Sequence, residues 1–115
     1  MRLIKLFILM VIPVIGFTQT LKVGDGLQVV HFNAGWNSAN DVEWVGDLEN
    51  CKLKRCDIAA DTKAQNKYEI VVVPTIIIFN EGEEVKRYQA DISFTMKATL
   101  EEVQEKLNEI YGDDF

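Results

Sequence analysis

Residues that ligate metals are scarce in this chain. Its 115 residues include one histidine, His31, and two cysteines, Cys51 and Cys56. The histidine lies far in sequence from the C-x4-C pair, so no metal site is expected. Lysine and arginine are nowhere gathered into a basic patch, which argues against a nucleic-acid partner. No glycine-rich phosphate loop and no pair of catalytic carboxylates appears, so no cofactor is expected either. Internal repeats and low-complexity tracts are also missing. What remains, 48% hydrophobic and 26% charged, is the composition of one ordinary globular domain. The formal charge of −6 comes from acids spread along the chain; it favours solubility and names no partner.

Long hydrophobic runs are limited to Leu6–Ile15, well short of the roughly 20 residues that span a bilayer. Arg2 and Lys5 precede this run, and the small residues Gly16 and Thr18 follow it, just before Gln19. That order reads as a secretory signal peptide over residues 1–18, cleaved after Thr18. No cysteine lies near the cleavage point, so a lipoprotein is not indicated. Losing Arg2 and Lys5 takes the charge from −6 to −8. The expected product is a periplasmic or extracellular domain, residues 19–115, with no membrane segment.

An oxidising compartment gives the cysteines a possible role. If 52–58 is a strand, Cys51 and Cys56 stand roughly 16 Å apart along it. A disulfide needs Cα atoms within about 7 Å. Two free thiols are therefore expected, with a bridge or mixed disulfide through Cys51 as the alternative.

The pass along residues 19–115 finds alternating elements. Leu27–Asn33, bounded by glycines, reads as a strand buried on both faces. Val42, Val45 and Leu48 follow at spacing three and suggest a short helix over 37–48, capped by Asn37, Ser38, Asn40 or Asp41. Residues 52–58 read as a second strand, and 61–68 as a polar helix opening on Asp61. Residues 70–73 run into Pro74, which has no N–H to give a ladder. The β-branched run 75–79, the turn Asn80-Glu81-Gly82-Glu83 and residues 85–90 read as a hairpin. Met96, Leu100, Val103, Leu107 and Ile110 draw one stripe along a last helix, with Gly112 as its stop. Glu101, Glu102, Glu105 and Glu109 form its solvated face. The fold class expected is α/β: a mixed four-stranded sheet in the order strand-helix-strand-helix-strand-strand-helix, with helices on both faces.

From Leu27 to Ile110 these residues resemble the thioredoxin family. Val29-Val30-His31-Phe32-Asn33-Ala34-Gly35-Trp36-Asn37-Ser38-Ala39-Asn40 is similar to the junction where an aromatic-rich strand leads into Ala-x-Trp-Cys-x-x-Cys. Lys67-Tyr68-Glu69-Ile70-Val71-Val72-Val73-Pro74-Thr75 is similar to the segment carrying the family's cis-proline. The resemblance implies that Asn37 and Asn40 occupy the positions of the two redox cysteines, and His31 that of a buried aspartate. Family chemistry needs a thiolate at a helix N-terminus and a second thiol to resolve the mixed disulfide; an amide supplies neither. Residues 19–26 are too few for the family's first strand and helix.

Three functions compete. The first is a non-catalytic module that binds an extended polypeptide or an exported protein in a groove between Trp36 and Pro74. Its binding residues are Trp36, Asn37, Asn40, Val73 and Pro74, and Val73 offers its backbone to the ligand as an added strand does. The second is a thiol–disulfide oxidoreductase or isomerase that uses Cys51 and Cys56. The third is a structural subunit of an oligomer. His31 is expected to be a core histidine with a depressed pKa; the alternative, a pH-sensing role, rests on histidine's ordinary titration near neutrality and on nothing else in the sequence.

Overall fold

The computed structural model describes residues 21–113; the signal peptide read at 1–18 lies outside them. Strand β1, Leu27–Asn33, is buried at every position but its first, as its unbroken apolar run predicts. It pairs in parallel with β2, Lys52–Asp57, and antiparallel with β3, Thr75–Asn80, which pairs antiparallel with β4, Glu83–Gln89. The resulting order, β2-β1-β3-β4, is the expected mixed sheet.

The hairpin turn is set by its residues. Glu81 and Gly82 have φ of 52° and 83° between the paired Asn80 and Glu83, so both central residues are left-handed, as a two-residue type I′ turn requires. Helix α1, Thr62–Lys67, opens where expected: the Asp61 carboxylate accepts the Ala64 N–H at 3.0 Å and caps it. At its other end Arg87 of β4 donates to the carbonyls of Tyr68 and Glu69, which anchors the helix to the sheet.

Two expectations are corrected. The crossover from β1 to β2 is not a helix over 37–48 but two 3₁₀ segments, η1 (Gly35–Asn40) and η2 (Glu43–Asp47), separated by extended backbone at Val42. Gly35, Asn37, Asn40, Val42, Val45 and Gly46 are all weak α-helix formers. The spacing of three in Val42, Val45 and Leu48 is the 3₁₀ repeat itself, so the apolar side still reaches the core. Helix α2, Leu100–Asp113, begins after Met96 and runs through Gly112 rather than stopping there. Met96 nevertheless packs against the same core as the α2 stripe.

The sheet divides two cores. On one face Val30, Phe32, Cys56, Ile77 and Phe79 meet Ala64, Ile70 and Val73. On the other Val29, Ile76 and Ile78 meet Val42 and Val45 of the crossover and Val103, Leu107 and Ile110 of α2. The strand period of two sends alternate side chains to opposite cores.

Candidate functional site

The site lies where β1 ends and β3 begins. Phe32 and Thr75 are register partners, so η1, which follows β1, and Val73-Pro74, which precedes β3, emerge at the same end of the sheet. The Val73–Pro74 bond is cis. Val73 is buried as a whole residue, backbone included; among the described residues nothing hydrogen-bonds to its N–H or C=O. Pro74 instead accepts the Ala90 N–H at 3.0 Å. That contact starts a third loop, 90–97, at the same end.

Loop 90–97 is knotted around Asp91. Its carboxylate accepts from the Ser93 N–H at 2.9 Å and from the Ser93 hydroxyl, and lies 3.4 Å from the Lys97 ammonium. These bonds, the Ser93 hydroxyl first, hold its pKa down to about 2. The knot leaves Ile92 97% exposed and puts Phe94 at φ 64°, a left-handed value that bulky residues rarely adopt. The Phe94 ring meets Trp36 edge-on, with centroids 5.4 Å apart. Trp36 is 67% exposed.

Asn37 and Asn40 do not cap a helix: Ala34 holds the N-cap position, with no side-chain cap bond. They form an amide network instead. Asn33 donates to the Asn37 carbonyl at 3.1 Å and to the Asp41 carboxylate at 2.5 Å. Asn37 donates to the Asn33 side-chain oxygen at 3.0 Å and to the Phe94 carbonyl at 3.3 Å, and Asn40 donates to Asn37 at 2.8 Å. Asn33, buried at the end of β1, and Phe94 thus belong to the site, although the sequence reading passed over both. A polar residue closing an apolar strand was the available signal for Asn33. Nothing local marks Phe94, which meets Asn37 across 57 positions.

His31 is buried on β1, and its Nε2 accepts the Val42 N–H at 3.1 Å. Burial lowers its pKa; Arg55 adds to the effect and Asp41 opposes it. Beside it opens a cavity of about 330 Å³ lined by Asn33, Ser38, Asp41, Arg55 and Asp57.

The two cysteines are free and lie in different cores. Cys51, half-buried before β2, packs with Leu53 against the crossover side. Cys56 packs on the opposite face. Burial raises both thiol pKa values, that of Cys56 to about 11 with Asp61 and Asp57 adding to it. Neither environment favours a thiolate. Among the described residues no three His, Cys, Asp or Glu side chains are grouped to hold a metal ion.

No protein-family model matches the chain. Among curated proteins it is similar to the thioredoxins of Staphylococcus epidermidis, 28% identical, and Staphylococcus aureus, 29% identical. Each match runs over 92 residues and covers 74% of this chain and 86% of the relative. Among solved structures it superposes on a mutant thioredoxin from Halobacterium salinarum with a TM-score of 0.59 at 16% identity, covering 74% of each chain. Fasciola hepatica thioredoxin superposes with a TM-score of 0.55 at 24% identity, covering 75% of this chain and 82% of that one. The structural likenesses speak for the fold, and the divergence lies in the two cysteines, Cys51 and Cys56, which form no Cys-x-x-Cys pair.

Proposed function

We propose that this chain, a thioredoxin-like protein without a Cys-x-x-Cys pair, is an exported, non-catalytic module that binds extended polypeptide. Export rests on the order of charged, apolar and small residues over 1–18. The binding reading is carried by one observation: exposed Trp36 and Phe94 meet at the end of the sheet, with exposed Ile92 in the same loop, above the Asn37–Asn40 amide network. A ligand strand lies across this lip, and main-chain hydrogen bonds to Val73, itself only 2% exposed, form only when the lip parts. Its apolar side chains pack on Trp36, Phe94 and Ile92, and Asn37 and Asn40 hold the lip in shape. Placement of Cys51 and Cys56 on opposite faces weighs against chemistry shared between them.

Capture by an array of short, cysteine-free peptides tests the reading. Trp36→Ala and Pro74→Ala are each expected to weaken capture by about tenfold or more, with circular dichroism unchanged. Capture at full strength by both variants would overturn the groove. Catalysed disulfide reduction that disappears in Cys51→Ser would favour the thiol enzyme instead. A stable oligomer that buries Trp36 would favour a structural subunit.

A further inference from the structure

We propose that His31 is an acid-sensitive latch whose protonation releases the Asp41–Val42 link and loosens the asparagine network under Trp36. The inference does not depend on what the site binds.

The geometry permits one protonation state. Nε2 of His31 accepts the Val42 N–H inside the protein, so that nitrogen carries no proton. Adding one sets two donors against each other and leaves a buried N–H without an acceptor. Val42 is the extended residue between the two 3₁₀ segments, so the bond from His31 closes the crossover at its hinge. Asp41, its neighbour, accepts from Asn33, which holds Asn37, which in turn holds the Phe94 carbonyl. Hydrogen bonds joined through the Asp41–Val42 backbone therefore connect the ring nitrogen of His31 to the aromatic lip.

The surroundings set the direction. On β2, Arg55 stands in register with His31 and opposes a second positive charge, while Ile76 of β3, on the other side, is apolar. Helix α2 brings Val103 and Leu107 to this face, neither of them charged. The carboxylates are Asp41, on the link itself, and Asp57, which lines the adjoining cavity with Cys56. An imidazolium formed here turns to Asp41 as its available acceptor, and Asn33 then loses a partner. The neutral ring is favoured in the closed form, so the latch is fully shut above about pH 6.5 and loosens below it.

Nuclear magnetic resonance on the intact protein tests this without a ligand. The His31 ring should titrate below about 6.5 while the protein stays folded. Over that range Val42 amide protection should fall about tenfold per pH unit, with the Asn37 side-chain amide shifting at the same midpoint. His31→Gln, which offers an uncharged acceptor, should keep Val42 protected across the range. Three results would overturn the latch: ring titration with unchanged Val42 protection, titration only on global unfolding, or the same acid loss in His31→Gln. Should the variant not fold, the first two still decide the question on the native chain.

Discussion

At the scale of single residues, Asn37 and Asn40, which the thioredoxin resemblance sets at the two redox-cysteine positions, tie the end of the sheet together. A low-pKa thiolate is stabilised by a helix N-terminus or a nearby cation. Asn37 and Asn40 sit on a 3₁₀ turn: Asn37 donates to Asn33 and the Phe94 carbonyl, and Asn40 donates to Asn37. Asn33 carries the network's three central bonds, so Asn33→Ala should cost about 1–3 kcal/mol in urea unfolding. A loss near zero would mean that solvent takes its place. The thiols make a second prediction. In the native protein an alkylating reagent should reach the half-buried Cys51 well before Cys56, whose thiol is pushed to about 11, and mass spectrometry after unfolding should find both modified. The asparagines were legible in the sequence as residues out of place. Their partners were not, because Phe94 lies 57 positions from Asn37 in a loop with no local pattern.

At the scale of elements, legibility follows periodicity. The α2 stripe, the buried β1 run and the hairpin declared themselves because each repeats at a spacing one structure satisfies. The crossover misled because spacing of three fits one side of either helix type, and the glycines and asparagines that tip the choice act weakly one by one. A start signal for α2 was available but unread: Thr99 and Glu102 form a reciprocal capping box, with Glu102 N–H to Thr99 Oγ1 at 3.2 Å and Thr99 N–H to Glu102 Oε1 at 3.1 Å. Thr99→Ala should cost about 1 kcal/mol, read by thermal or urea melts, with Glu102→Ala costing less. In the hairpin, Gly82 at φ 83° makes Gly82→Ala unfavourable by about 1 kcal/mol. An unchanged midpoint would mean that the turn relaxes to another type.

At the scale of the whole molecule, one sheet with a core on each side fixes three loops at a common end and keeps Cys51 and Cys56 apart. That separation was legible, since five residues of extended chain span roughly 16 Å, beyond the reach of a disulfide. The lip made by Trp36 and Phe94 needed the completed topology. Leu107 is fully buried in the core that α2 shares with the crossover, so Leu107→Ala should remove about 2–5 kcal/mol. Stability also depends on pH through His31. Its folded pKa is lowered, so the unfolded chain binds the proton more readily, and this contribution is whole above about 6.5 and declines as pH falls below it. The central claim is that polypeptide is bound at the loop end of the sheet, and amide shift mapping with a captured cysteine-free peptide tests it most directly. The account predicts perturbations gathered at Trp36, Asn37, Asn40, Val73, Ile92 and Phe94; shifts centred on β2 or on the exposed face of α2, with these residues unmoved, would contradict it.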